Sequence, residues 1–308
     1  MLRWSTAMSR ALYGPDGFYT TQRPRRHFRT SAQSPLFAEA IAVLVRRLDD
    51  RLGHPDPFTV LDMGAGDGEL LANLLSVENL SGRLRTVGVE LRPRPDGLDP
   101  RIDWRDTLPE AVTGLVLACE WLDTVPCDVA ETTEDGSVHY QLVDPATGET
   151  ALGPAVDAAD ADWLARWWPS AGPGTLAEIG RPRDAAWQRL RDTVTAGTVL
   201  AVDYGHLRDH RPRYGTLTGY AAGRQVPAIP DGSCDITAHV AVDALPGAVI
   251  VDQRTALRAL GITGRRPEPA LARTDPMGYL RALDRTGRAA ELTDPAGLGG
   301  HHWCRADH

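Results

Sequence analysis

The chain contains no lysine, so all 33 of its basic residues are arginine. It has no window of about 18 or more apolar residues, which excludes an ordinary membrane-spanning helix. Met1-Leu-Arg-Trp-Ser5 lacks the apolar run of a secretory signal. Cysteine is scarce: Cys119, Cys127, Cys234 and Cys304 form no C-x-x-C pair and no recognisable disulfide framework, which points to a reducing, cytoplasmic setting. A broad basic face is missing as well. The net charge is -8, so nucleic acid is set aside as a partner. Internal repeats and low-complexity tracts are absent. What remains is a 308-residue chain rich in Arg, Pro, Gly and Trp, long enough for one large core or two modest ones.

One stretch organises the rest: Phe58-Thr-Val-Leu-Asp-Met-Gly-Ala-Gly-Asp-Gly-Glu-Leu-Leu71. Phe58 to Leu61 is a short apolar run bounded by Gly53, Pro55 and Pro57, and reads as a buried strand. Gly64, Ala65, Gly66 and Gly68 follow, and then residues 69–75 carry helical apolar spacing. Strand, glycine turn and helix form the opening unit of a doubly wound nucleotide-binding sheet, whose glycines let backbone approach a ligand at the strand's carboxyl end.

Three nucleotide ligands use such turns. A phosphate-cradling loop ends in Gly-Lys-Ser/Thr, which is missing. A dinucleotide site spaces its glycines G-x-G-x-x-G around a pyrophosphate. Here the spacing is G-x-G-x-G, and Asp62 precedes the first glycine by two residues. A carboxylate there repels pyrophosphate but suits an ammonium group. S-adenosylmethionine offers an ammonium, a sulfonium, an adenosine and no phosphate. The next strand, Arg85-Thr-Val-Gly-Val-Glu-Leu91, ends at Glu90 beside Leu91, where an acid can accept from two ribose hydroxyls. Asp106, after a third strand at residues 101–104, is the candidate for the adenine amine, with Asp103 as its alternative. An NAD site or a purely structural turn remains the competing reading of the glycines.

Strands around Val60, 87–89 and 115–118 alternate with helical or turn-rich connections, as in an α/β sheet. Upstream, residues 6–12 read as a short helix and 36–52 as an amphipathic one, with Gln22-Arg-Pro-Arg-Arg-His-Phe-Arg29 a basic loop between them. Alternating runs at 128–132 and 137–143 flank Glu134-Asp-Gly136 as a hairpin. Trp163, Trp167 and Trp168 follow with the spacing of a packing stripe. Residues 187–190 look helical, 198–203 form another strand ending in an acid, and 208–235 read as a long loop. A helix within 249–260 and a final strand at Trp303 complete the chain. The divisions expected are an N-terminal helical cap (1–52), a nucleotide-binding half (53–130), an insertion (131–185) and the remainder of the sheet (186–308).

Several segments, in order, resemble the MidA-like family of methyltransferases. They are Met8-Ser-Arg-Ala-Leu-Tyr-Gly-Pro-Asp-Gly-Phe-Tyr19, Phe28-Arg-Thr-Ser31, the glycine turn, Glu120-Trp-Leu-Asp-Thr-Val-Pro126, Glu178-Ile179, Asp203-Tyr-Gly205 with Gly215-Thr-Leu217, Asp235-Ile-Thr-Ala-His-Val240 and Pro276-Met-Gly278. The chain departs from the family pattern at Arg26-His27, at Ala32-Gln33 and at Cys119. The resemblance implies a class I methyltransferase, a Rossmann-like doubly wound sheet with a helical N-terminal cap and an inserted subdomain. It implies S-adenosyl-L-methionine as cofactor, held by Asp62, Gly64, Ala65, Gly66, Gly68, Glu90, Leu91 and Asp106. It also implies an arginine of a partner protein as methyl acceptor. The rivals are a small-molecule acceptor and a catalytically silent assembly factor.

Methyl transfer from a sulfonium is an in-line displacement in which alignment alone contributes about 7–11 kcal/mol. Carboxylates at the sheet's carboxyl edge suit a guanidinium's fork of N–H donors. Glu120 and Asp123 are the candidates, sharing one face if a helix starts near Glu120; capping and a surface ion pair are the structural alternative. Asp203 is a second clamp, and Tyr204 or Tyr19 an aromatic face for a cation. His239 reads as a structural histidine, and the tail residues His301, His302, Cys304 and His308 lack the second cluster a metal needs, so no metal is expected.

Overall fold

Alternating hydrophobicity, short crossover connections and glycine turns build a central seven-stranded sheet. The computed structural model describes residues 1–22 and 30–308; most of the basic loop, including Arg26-His27 and Phe28, lies outside the described residues. The sheet comprises β1 (Phe58–Met63), β2 (Leu84–Val89), β3 (Ile102–Arg105), β4 (Val112–Cys119), β5 (Val194–Asp203), β6 (Val249–Asp252) and β7 (His302–Asp307). Its spatial order is β6-β7-β5-β4-β1-β2-β3. Strands β1 to β5 pair in parallel, while β7 is antiparallel to both β5 and β6. Strand order reverses between β1 and β4, so a crevice opens beyond their carboxyl ends.

Seven helices are used below: α1 (Trp4–Tyr13), α2 (Pro35–Arg51), α3 (Glu69–Val77), α4 (Ala158–Trp167), α5 (Arg181–Thr193), α6 (Gln253–Ala259) and α7 (Pro276–Thr293). Pro35 opens α2 at a position where a missing N–H costs nothing. The apolar stripe of α2 packs with α3, α6 and α7 on one face of the sheet. Ala186, Trp187 and Leu190 of α5 cover the other. Both faces being covered, β1 is buried along almost its whole length, which is why it reads as a continuous apolar run. Trp187 is fully buried and its Nε1 donates to the Pro246 carbonyl at 3.0 Å. Trp187→Ala should therefore cost ~3–5 kcal/mol in urea unfolding; a cost below ~1 kcal/mol would mean that this face is not packed as described.

The expected hairpin is present, Val129–Thr132 pairing with Val138–Val143. It belongs to a second sheet that also takes in Leu2–Arg3, Thr150–Ala155 and Leu176–Glu178. The N-terminal strand and α1 thus pack on the inserted strands, with Trp4, Met8, Leu12 and Phe18 against Val129, Val143 and Ile236. Trp163 and Trp168 are buried among Tyr140, Ala177 and Ile179, a packing stripe as the spacing predicts.

Two stretches differ from expectation. Residues 208–235 are not one loop: Thr218–Ala221 and Arg224–Val226 form a hairpin that pairs onward with Asp235–Thr237. Its turn places Ala222 at φ 49° and Gly223 at φ 77°, a left-handed pair usually marked by Asn or Asp rather than Ala. The eighteen-residue α7 is also unanticipated. It buries only Ala289 and Leu292 among its own residues and carries Gly278 and Gly287, so its apolar period is faint.

Candidate functional site

The glycine turn is fixed by backbone first. Gly64 N and Ala65 N both donate to the Val89 carbonyl, tying the turn to the end of β2. Gly64, Gly66 and Gly68 have φ of 72°, 61° and 80°, a region open to glycine at little cost. Around Gly64 and Gly68 a side chain would collide, with Trp121 Cδ1 at 2.8 Å and Leu98 Cδ1 at 2.7 Å. At Gly66 the nearest atom is Glu69 Oε2 at 3.8 Å, so this one position faces open space.

That space is a cavity of about 350 Å³ at the carboxyl ends of β1, β2 and β4, within the range of small-molecule sites. Asp62, Gly64, Ala65, Gly66, Glu90, Leu91, Asp106 and Glu120 all line it. Gly68 does not; it starts α3 in a left-handed conformation. Asp103 faces away and pairs with Arg105, leaving Asp106 as the acid of that region at the cavity. Glu90 is held on three sides: Oε2 accepts from Gly66 N at 2.9 Å, and Oε1 from Leu91 N at 3.0 Å and Arg92 N at 3.3 Å. It therefore links the glycine turn to the end of β2 while lining the cavity. Asp62 is buried with no hydrogen-bond donor to its carboxyl among the described residues, and burial, then Glu69 and Glu90, push it up to about 8.

The expected helix at Glu120 is absent. Glu120 sits at φ 51°, a left-handed conformation, and a single 3-10 turn, Leu122–Thr124, follows. The two acids are thus set by a turn rather than by a helical face. Glu120 N donates to the Val202 carbonyl and Glu120 Oε1 accepts from Ser31 N at 2.9 Å, while burial pushes its carboxyl up to about 8. Neither alternative role holds: Glu120 caps no helix, and Asp123 is buried rather than paired at the surface.

Of the catalytic candidates only Glu120 lines the cavity; Asp123, Asp203 and Tyr204 stand behind it. Asp203 Oδ2 accepts from Leu122 N at 2.8 Å and Asp123 N at 3.3 Å, which fixes the turn that carries Glu120. The other oxygens, Asp203 Oδ1 and Asp123 Oδ1, are buried without a hydrogen bond among the described residues. Desolvation raises both carboxyls above their ordinary range. Tyr204 stacks on His239 at 5.6 Å, so its ring faces protein, and His239 is structural. Arg183 is buried and donates to the carbonyls of Asp123, Val125 and His239, drawing these segments together.

Sequence reasoning missed several contributors. Tyr13 lines the cavity with its hydroxyl donating to the Thr124 carbonyl at 3.1 Å, and Tyr19 stacks on it at 5.5 Å while donating to Asp235 Oδ1 at 2.8 Å. Burial pushes Asp235 up to about 7. Ala32 and Gln33, one of the departures from the family pattern, lie on the cavity wall. Trp121, inside the E-x-x-D block, closes over Gly64. The aromatic ladder of α1 was the one signal available, since Tyr13 follows an apolar face that had to bury against something.

A family model described as "Putative S-adenosyl-L-methionine-dependent methyltransferase" matches residues 36–263. A solved structure from Burkholderia thailandensis, described as a "likely methyl transferase" bound to S-adenosyl-homocysteine, is 26% identical with a TM-score of 0.80, over 100% of this chain and 88% of that one. A second, uncharacterised structure from the same organism is 25% identical with a TM-score of 0.80, over 100% and 87%. No curated protein matches the chain.

Proposed function

The chain belongs to the S-adenosyl-L-methionine-dependent methyltransferase family whose model spans most of it, and from that premise we propose that it methylates an arginine nitrogen of a partner protein. The cofactor supplies an electrophilic methyl group on a sulfonium; alignment, charge and proton handling fall to the chain. Asp62 would take the ammonium, Glu90 the ribose hydroxyls and Asp106 the adenine amine, while Gly64 to Gly66 leave the space in which the nucleoside lies. The fit rests on an uncompensated buried carboxyl at Asp62 and an open Cβ position at Gly66.

The arginine reading is carried by one observation: Asp123 Oδ1 and Asp203 Oδ1 are buried without donors, directly behind the cavity-lining Glu120. Buried carboxylates are tolerated when a cation with matching donors meets them. A guanidinium brings five N–H groups and a fixed positive charge. The buried, unpaired cysteines support a reducing cytoplasmic setting, and among the described residues no helix is long and apolar enough to cross a membrane. Labelling a whole-cell lysate with methyl-labelled cofactor tests the acceptor. Protein-bound label that appears as methylarginine after hydrolysis is expected; label confined to low-mass species removes the arginine reading.

Asp62 makes the binding step pH-dependent. A neutral Asp62 cannot pair with an ammonium, so ligand binding must displace its proton. Affinity for S-adenosyl-homocysteine should rise as pH climbs from about 6 to about 8. Asp62→Asn should flatten that rise and weaken binding at pH 8 by about 30-fold, the ~2 kcal/mol of a charge-assisted hydrogen bond. Calorimetry at several pH values in buffers of different ionisation enthalpy reads both effects. Folding has the linked sign: the fold favours neutral Asp62, so its contribution is complete below the ordinary carboxylate pKa of ~3.9 and is lost as pH rises toward 8.

A further inference from the structure

His301 belongs to the C-terminal tail and does not line the cavity, yet it is completely buried just ahead of β7, behind Glu120. Its Nδ1 meets the Leu298 carbonyl, and its own carbonyl accepts from Gln253 N at 2.9 Å, so the ring is held from both sides. A carbonyl can only accept, hence Nδ1 carries the hydrogen and Nε2 is left with a lone pair. That Nε2 has no hydrogen bond among the described residues, and Glu120 Oε1 stands 3.6 Å from it.

The other titratable groups around His301 are Tyr204, whose ring lies 3.9 Å away, and the histidines His239 and His302. Burial keeps the phenol of Tyr204 protonated and both neighbouring imidazoles neutral. Glu120 is thus the acid His301 faces. On its other side Glu120 lines the cavity, and its Oε2 carries no hydrogen bond among the described residues.

We propose that His301 is a positioning residue that acts through Glu120, taking from it the proton freed when an acceptor nitrogen is methylated. Methylation forms one N–C bond, leaves the electron pair of the broken C–S bond on sulfur and frees one N–H proton from the acceptor. Glu120 receives that proton through its carboxylate and hands it to His301 Nε2, which becomes imidazolium. The Leu298 carbonyl stabilises the Nδ1–H throughout, and the proton leaves to solvent after product release. The assignment rests on the reading that the acceptor meets Glu120.

The test uses the full chain with ¹⁵N-labelled histidine, followed by long-range ¹H–¹⁵N spectra across the neutral pH range. His301 is identified by the resonance missing from His301→Gln. It should show the Nδ1–H tautomer and a pH-dependent step that vanishes in Glu120→Gln. An Nε2–H tautomer, or a step unchanged in Glu120→Gln, overturns the relay. In lysate labelling, His301→Gln should bind S-adenosyl-homocysteine within twofold of wild type yet incorporate label about 100-fold more slowly at neutral pH, recovering as pH rises. Unchanged labelling, or loss that persists at alkaline pH with binding intact, also overturns it. Normal labelling in Glu120→Gln with the spectral coupling present would instead remove the acceptor placement, so the two failures are distinct.

Discussion

Glu120→Gln should keep affinity for S-adenosyl-homocysteine within about twofold and lower methyl transfer by about 10²–10⁴-fold, the range of a removed acid–base group. The substitution keeps the shape of the side chain, and the amide oxygen still accepts from Ser31 N. What it loses is the capacity to ionise toward a cation and to take a proton. The left-handed backbone at Glu120 is a further sign that this position is held against local preference, a conformation that costs of order 1–3 kcal/mol and persists only when surroundings enforce it. Here the enforcement is visible in the bond from Glu120 N to Val202 and in the two bonds to Asp203 Oδ2. Rates of label transfer at saturating cofactor, set beside calorimetric affinity, separate the two effects. Full turnover in Glu120→Gln would move the acceptor clamp to another group.

Gly66→Val should lower affinity for S-adenosyl-homocysteine more than about 100-fold while leaving the protein folded, ~2.7 kcal/mol of binding by the usual conversion. The Cβ direction at Gly66 opens on the cavity, so the added isopropyl group occupies ligand space rather than colliding with the core. A β-branched residue at φ 61° is also strained, and thermal unfolding should report that as a modest loss of stability. Gly68→Val is the control, because its side chain would press into Leu98 and Trp104 and disturb folding instead. Undiminished affinity in Gly66→Val would be irreconcilable with a ligand lying over this turn.

The opening unit of the sheet was legible because several signals agreed there: an apolar run of strand length, three glycines that take positive φ, and a helix with a clear apolar stripe. Asp62 and Glu90 could be placed at strand ends for the same reason. The family blocks pointed to residues that touch across long sequence separations. Glu178 Oε1, from one block, accepts from Leu217 N of another at 2.9 Å, and Ala238 N donates to the Asp123 carbonyl. Which of these residues face the cavity was not legible. Asp203 and Asp123 share a motif neighbourhood with Glu120 but sit one layer behind it, a distinction made by the left-handed turn at Glu120 that no propensity announces. The pairing of Leu2–Arg3 with residues 142 and 143 is a two-residue contact between distant segments. His301 escaped because a lone buried histidine carries no pattern; its partners, Leu298 and Glu120, come from a local turn and from a strand end far away in sequence.

Co-crystallisation of the full chain with S-adenosyl-L-homocysteine is the most direct measurement. The nucleoside should occupy the cavity above Gly64 to Gly66, with its amino group on Asp62 and its ribose hydroxyls on Glu90. A ligand bound elsewhere, or a cavity that closes on its own side chains and excludes the nucleoside, would contradict the site assigned here.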